Sequence, residues 1–482
     1  MFADFLSQLT LLALMDGLLI AVVIPVVLMK KRDSTVAVAW CLVVLLMPVV
    51  GALLFWVFGF AHVQRRRALR KRQHRSRYRT DYPPSRPEAF RGRSPSETVT
   101  VCHPLAQIAL QVDGFAVSMG NAVQLYHDTT PAFEAMLSAI EQAQHHVHLQ
   151  FYIVRDDSTG RRLAEVLLRK ARAGVQVRFL YDSLGSFFLS RRLQNELHAG
   201  GVRVCSFLPL NPLQSRIQVN LRNHRKIVVV DGRIAFTGGM NIGDEYLGLS
   251  KRFGYWRDTF VQIRGPAVAA LQRVFSEDWH FAAGELLNAA EFFPEIESAG
   301  PYAVQVLESG PDQECNTSRE VYFAAILEAK KRLWIASPYF VPDNGILDAL
   351  RLARLRGVDV RLLCLLRPDH FLSFHASRYY WSDLLHFGGQ VYQYARGMMH
   401  SKILLVDDNW AMVGTSNLDN RSLRLNFEVN CVFYAEDLVQ ELATQFERDL
   451  SDSIPLDPWT FAQRSLWQRL CENACRLFAP IL

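Results

Sequence analysis

Asn223-His224-Arg225-Lys226-Ile227-Val228-Val229-Val230-Asp231 carries the pattern His-x-Lys-x-x-x-x-Asp, and the pattern returns as His400-Ser401-Lys402-Ile403-Leu404-Leu405-Val406-Asp407. The interval is 176 residues (400 − 224), and the downstream asparagines, Asn241 and Asn417, keep it. Each copy runs into an apolar stretch of strand character and then a Gly-x-x-Asn turn. One His-x-Lys would be noise. Two, at one interval and with the same sequel, indicate a half-site used twice.

The repetition extends outward from both motifs. Leu137–Ala143 reads as an amphipathic helix feeding a strand, His146–Val154, that ends around Tyr152. Phe323–Ala329 feeds Leu333–Val341 in the same way, with Tyr339 in the matching place. A second helix then leads to Gly174-Val175 in one copy and Gly357-Val358 in the other, and Gly200-Gly201 answers Gly388-Gly389. Helices alternating with strands predict an α/β half whose sheet is covered by helices. The first copy has an insertion, Phe207–Val219, just before its motif, where it could shape access to a site.

Residues two apart on a strand share a face, so His224 and Lys226 are expected to point the same way, as are His400 and Lys402. An imidazole beside an ammonium is a phosphate-handling pair, the lysine serving as a point charge for non-bridging oxygens. One half cannot supply both a nucleophile and an acid. Two facing halves can: one imidazole attacks phosphorus, and the other protonates the departing oxygen and deprotonates the incoming one. Lys226, Lys402, Asn241 and Asn417 would stabilise the charged transition state. Each imidazole needs an acceptor on its far nitrogen. Asp258 and Glu428, acids among apolar strand residues, are the expected orienting partners. Asp231 and Asp407 complete the motif and are expected to brace the turns that end their strands. No acid cluster has metal-ligand spacing, and no metal or other cofactor is expected.

The chain has 482 residues, 50% apolar and 21% charged, with a formal net charge of +6. The basicity is local. Arg65–Arg79 holds nine Lys/Arg and no acid, which leaves 6 − 9 = −3 elsewhere. A net acidic remainder disfavours nucleic acid as a partner. A basic run beside apolar segments suits anionic lipid headgroups instead. Two such segments, Phe5–Met29 and Val36–Phe60, each exceed the roughly 20 residues that cross a bilayer core, and they are expected to form a transmembrane helical hairpin. The larger basic cluster predicts that the catalytic part faces the cytoplasm, although a re-entrant hairpin is an open alternative. The eight cysteines show no disulfide framework. The expected organisation is therefore two transmembrane helices (1–62), a basic juxtamembrane linker (63–110), a first catalytic half (111–295), a second (296–455) and a C-terminal amphipathic helix (456–482). In that last helix Trp467, Leu470, Ala474, Leu477 and Phe478 share a face, suited to docking on the core or to a membrane interface.

The duplicated motif resembles that of the phospholipase D superfamily. Within it, the N-terminal apolar segments, the basic linker and stretches such as Tyr339-Phe-Val-Pro342 and Asn417-Leu-Asp-Asn-Arg-Ser-Leu423 resemble bacterial cardiolipin synthases. The resemblance implies two pseudo-symmetric phospholipase D-like halves with the active site between them. It also implies an inner-membrane, multi-pass phosphatidyltransferase. Phosphatidylglycerol would be both donor and acceptor, cardiolipin and glycerol would be the products, and neither nucleotide nor metal would be needed. By the same analogy His224 is the nucleophile and His400 the general acid/base, an assignment that could be reversed. The rival readings are a hydrolase that uses water as acceptor and, further off, a nuclease. In the first half Gly238-Gly-Met-Asn241 departs from the Gly414-Thr-Ser-Asn417 of the second, which predicts unequal roles.

Overall fold

The computed structural model describes residues 2–31, 34–56, 104–209, 221–313 and 315–482. Residues 63–103 of the expected linker (63–110) and most of the insertion before the first motif lie outside these residues. The chain divides into two units, Met1–Leu69 and Arg70–Leu482.

The first unit begins with a 29-residue helix, Phe2–Lys30, whose Ala13–Lys30 window has a mean hydropathy of 2.2 and is long enough to cross a membrane. The second apolar run is not one helix. It forms Ser34–Leu46, breaks at Met47, and resumes as Pro48–Leu54. Proline has no N–H to donate and clashes with the preceding turn, so it ends one helix and starts the next. Gly51 lets the two pieces fold closely, since a Cβ there would lie 2.5 Å from the Val43 carbonyl oxygen. Thirteen residues of helix span only about 20 Å, against about 30 Å of bilayer hydrocarbon. The expected second straight span is thus an interrupted one. Val27, Ala37 and Phe55 form a small core between these helices, with Trp40 packed edge-on to Phe55.

The second unit is built on one long mixed sheet. The strand Ile227–Val230, which follows the first motif's lysine, lies between His146–Phe151 and Ile234–Gly238, antiparallel to both. Beyond His146–Phe151 come Gln176–Asp182 and Arg203–Phe207, each parallel to its neighbour. The strand Ile403–Val406 has the corresponding surroundings. It is antiparallel to Arg332–Ala336 and Trp410–Gly414, and Asp359–Leu365 and Gln390–Tyr394 run parallel beyond Arg332–Ala336. The inner parallel strands carry polar residues yet are largely buried, because helices such as Ser158–Arg172 and Asn344–Leu355 cover them. The two sets of strands join where Ser118–Tyr126 pairs with Tyr302–Ser309. The register shifts there between Ser118 and Asn121, and the buried Asn121 amide closes the gap by donating to the Ser118 and Tyr302 carbonyls.

The motif aspartates sit at the far end of these strands. Asp231 and Asp407 both adopt left-handed backbone (φ 52° and 51°), which a short polar side chain tolerates. Asp231 accepts hydrogen bonds from the backbone of Gln144, His145 and His146, at 2.7–2.9 Å. Asp407 does the same for Lys330, Lys331 and Arg332, at 2.7–3.1 Å. Each ties the end of a motif strand to the start of its neighbour. Pro104–Asp113 is a helix of this unit that crosses the expected boundary at 110, with Leu105 and Ala109 buried in the main core.

The C-terminal helix, Leu466–Arg476, opens with a Ser465/Gln468 capping box. It docks by its polar side. Glu472 is buried between Arg378 (2.7 Å) and Arg464 (3.0 Å), while Leu466, Trp467, Leu470 and Leu477 face outward.

Candidate active site

The histidines and lysines precede the motif strands instead of lying in them, since the ladder pairing starts at Ile227 and Ile403. The expected shared strand face is therefore not what brings each pair together. Lys226 Nζ turns back to donate to the His224 carbonyl at 2.7 Å, and Lys402 Nζ donates to the His400 carbonyl and lies 3.0 Å from His400 Nδ1.

Each motif approach is held by backbone from the other motif's side. Arg222–Asn223 pairs in parallel with Asn426 and Phe427, and His224 N donates to the Phe427 carbonyl at 2.9 Å. Gly397–Met399 pairs in parallel with Tyr255–Arg257, and His400 N donates to the Arg257 carbonyl at 2.8 Å. The next residue along each of those segments is an acid, so the carboxylates cross over. Glu428 lies 3.0 and 3.1 Å from His224 Nδ1, and Asp258 lies 2.6 Å from His400 Nδ1.

The two carboxylates are braced differently. Glu428 accepts from the Thr415 hydroxyl at 2.5 Å and from the Asn426 amide at 3.2 Å. Asp258 accepts from the Thr259 backbone N–H at 2.8 Å. Gly239 holds the place in the first half that Thr415 holds in the second. A Cβ at Gly239 would lie 2.1 Å from Asp258 Oδ1. The longer glutamate leaves room for a threonine, whereas the aspartate occupies that room itself. This accounts physically for the difference between Gly-Gly-Met-Asn and Gly-Thr-Ser-Asn.

Two arginines that the motif pattern does not single out hold the acids from behind. Arg225 Nε donates to the Glu428 carbonyl at 3.1 Å, and Arg257 Nη1 to the Asp258 carbonyl at 2.6 Å. Both are fully buried. Arg225 is paired with Asp278 and Glu308 at 2.8 Å each, and Arg257 with Asp449 at 2.8 Å. The available signal was an extra positive charge between the motif's histidine and lysine, and another directly before Asp258. Aromatic rings complete the walls: Tyr152 packs edge-on to His224 at 4.9 Å, and Trp256 lies 5.2 Å from His400. Asn241 is committed to the backbone, accepting from Ile153 N at 3.0 Å. The Asn417 side-chain oxygen is buried and makes no hydrogen bond among the described residues. Asp231 and Asp407 do not join the cluster. They stand a four-residue strand away, about 13 Å at 3.3 Å per residue.

Burial dominates the ionisation of the cluster. It lowers His224 to about 4 against the pull of Glu428, with Lys226 and Lys402 adding to the lowering. It lowers His400 to about 4 as well, helped by Lys402 and opposed by Asp258. Burial also brings Lys402 down to about 8, and it pushes Lys226 well below the usual lysine range. For the acids, burial acts upward but is outweighed by the facing histidine and the lysines, so Asp258 and Glu428 stay ionised. With a carboxylate on each Nδ1, that nitrogen carries the proton and Nε2 presents its lone pair. The cluster thus holds two neutral imidazoles in the nucleophilic tautomer and two carboxylates beside two lysines whose charged forms burial disfavours.

The description "cardiolipin synthase, PLD-like domain" fits residues 136–279 and 322–450, which contain both motifs, and "phospholipase D-nuclease N-terminal" fits residues 17–59. The chain is 41% identical over 460 residues to a cardiolipin synthase of Geobacillus kaustophilus, covering 95% of this chain and 91% of that one. It is 38% identical over 466 residues to cardiolipin synthase 2 of Bacillus cereus, covering 95% and 89%. Among solved structures, a phosphatidylserine synthase of Haemophilus influenzae shares the fold (TM-score 0.61, 14% identity, 79% of this chain and all of that one). Two copies of the histidine–lysine motif on one α/β scaffold, with these similarities along nearly the whole length, place the chain in the cardiolipin synthase family of phospholipase D-like proteins.

Proposed function

We propose that this chain is a membrane-held phosphatidyltransferase that makes cardiolipin from two phosphatidylglycerols, with His224 as nucleophile and His400 as general acid/base. The observation that carries the reading is the crossed pairing, His224 with Glu428 and His400 with Asp258. It leaves two imidazole Nε2 atoms, oriented from behind, to act on one phosphodiester. The similar strand surroundings of the two motifs support two pseudo-symmetric halves, 111–295 and 296–455, with the site between them.

His224 Nε2 attacks phosphorus as the bond to the glycerol oxygen breaks. His400 gives that oxygen its proton, and glycerol leaves. The headgroup hydroxyl of a second phosphatidylglycerol then gives its proton to His400 and attacks the phosphohistidine, freeing His224 and completing cardiolipin. An imidazole held near 4 carries no proton at neutral pH, so by itself it has none to give the leaving oxygen. The entering phosphodiester changes that. The phosphodiester brings a negative charge beside His400 and the two lysines, which raises their affinity for protons, and His400 takes up a proton before the first step. Lys226, Lys402 and Asn417 would meet the phosphoryl oxygens, while Asn241 positions the strand end beside them. Asp231 and Asp407 serve the fold of the motif strands.

The N-terminal apolar helix and the nine-cation Arg65–Arg79 run support residence in a bacterial inner membrane, multi-pass and with the catalytic unit on the cytoplasmic side. Anionic headgroups are the expected partners of that run. The test is product analysis with phosphatidylglycerol, with and without chelator. Cardiolipin and glycerol in both arms are expected. Phosphatidic acid alone would make the protein a hydrolase, and activity lost with chelator would show that the side chains do not suffice.

A further inference from the structure

Two segments beside the site, a turn and the start of a helix, each carry an exposed apolar pair. Phe187 and Phe188 are 68% and 69% exposed, and follow the strand Gln176–Asp182. Phe371 and Leu372 are 59% and 42% exposed, and follow the strand Asp359–Leu365. Phe188 stands as far beyond Gly174 as Phe371 stands beyond Gly357, so the duplication has an exposed phenylalanine at matching places.

Both segments are built onto the candidate site. Asp182 accepts from Asn223 N, one residue before His224, at 2.9 Å, and from Leu184 N and Gly185 N. Gly185 lies so close to Tyr152, the ring against His224, that a Cβ there would come within 2.7 Å of it. Phe187 and Phe188 come next. In the other segment Asp369 accepts from the Tyr339 hydroxyl and acts electrostatically on Lys402. Phe371 and Leu372 come two and three residues later. Exposed arginines accompany both pairs, Arg191 and Arg192 after the first and Arg367 before the second, and Arg155 stacks on Phe188 at 5.1 Å.

The surface beside the second pair is apolar too. The C-terminal helix packs on Phe371–His386, with Glu472 on Arg378 and Arg476 on Tyr379, and Arg464 just before it on Ser382. Leu477 and Phe478, exposed just after it, follow the contact of Arg476 with Tyr379. Exposed aromatic and aliphatic side chains among arginines suit the boundary between anionic headgroups and acyl chains. A diacyl substrate imposes the same geometry, because its phosphorus must reach the imidazoles while its chains stay in lipid.

We propose that Phe187–Phe188 and Phe371–Leu372 form a rim on either side of the site that inserts into an anionic bilayer and holds it against the histidines. The proposal rests on the phosphatidyl-transfer reading. The test compares full-length wild type with the double variant F188S/F371S on two substrates. One is long-chain phosphatidylglycerol in vesicles, and the other is dihexanoyl-phosphatidylglycerol below its micelle concentration. Turnover on vesicles is expected to fall about tenfold or more, as two inserting rings are lost, and turnover of the dispersed lipid to stay within about twofold. F188W/F371W is expected to keep both. Equal loss on both substrates, or no loss on vesicles, overturns the rim, as does a change of oligomeric state in detergent, which would make the surface an interface between copies. A wild type that makes no cardiolipin from either substrate strikes the transfer reading itself, and the rim with it.

Discussion

Replacing His400 with alanine should separate the two imidazoles by what each leaving group demands. If His224 attacks and His400 is the acid, H400A must expel glycerol as an unprotonated alkoxide. General acid–base help contributes about 10²–10⁴-fold, about 3–5 kcal/mol, and that is the loss expected on phosphatidylglycerol. The structure supplies a consistent figure. Protonating an imidazole held near 4 at pH 7 costs about three pKa units, about 4 kcal/mol, which the bound phosphodiester must offset before His400 can act. A phosphatidyl ester of p-nitrophenol removes the demand, because a phenolate departs without a proton. H400A should therefore release nitrophenol in a stoichiometric burst and then stall as a phosphohistidine on His224, since no base remains to activate the acceptor. H224A should give no burst. Quenched-flow absorbance with peptide mapping of the adduct reads both. A burst from H224A with the adduct on His400 would reverse the roles. No burst and no adduct in either variant would refute covalent catalysis. Each variant leaves a buried acid without its partner, so its melting temperature should be recorded, and His→Gln used if it falls by more than a few degrees.

Four further outcomes follow from named contacts. Thr415→Val removes the 2.5 Å bond to Glu428 and the 2.9 Å acceptor of the buried Val429 N–H, so turnover should fall about tenfold and stability by about 1–3 kcal/mol. Gly239→Ala should be far worse, because its Cβ would meet the Asp258 carboxylate, and near-total loss of activity is expected in a folded protein. Arg257→Met leaves Asp449 buried and unpaired and should lower stability by about 3–5 kcal/mol in denaturant titration. His146 is buried with both ring nitrogens unbonded among the described residues, and burial lowers it to about 4. Its folded value lies below its unfolded value of 6.5, so its contribution is complete above about 6.5 and is lost as pH falls toward 4. His146→Phe should blunt the acid loss in that window, up to roughly 3 kcal/mol, and an unchanged acid midpoint would contradict this.

The chain by itself determined the elements that depend on local pattern. The repeated His-x-Lys, the alternating helices and strands around it and the apolar N-terminal run are short-range signals, and each appears in the structure as a site segment, a sheet or a long helix. Asp258 and Glu428 were legible as orienting acids because a carboxylate in an apolar strand needs a partner. Which histidine each one serves was not legible. The crossing depends on Arg222–Asn223 lying beside Asn426–Phe427 and on Gly397–Met399 lying beside Tyr255–Arg257, contacts between residues far apart in sequence. Tertiary structure also decided that the motif lysines precede their strands, that Arg225 and Arg257 hold the acids from behind, and that the C-terminal helix buries Glu472 and turns its tryptophan outward. Periodicity states which residues share a face. What that face meets is set by packing across the whole sheet, which sets each motif histidine against an acid far from it in sequence.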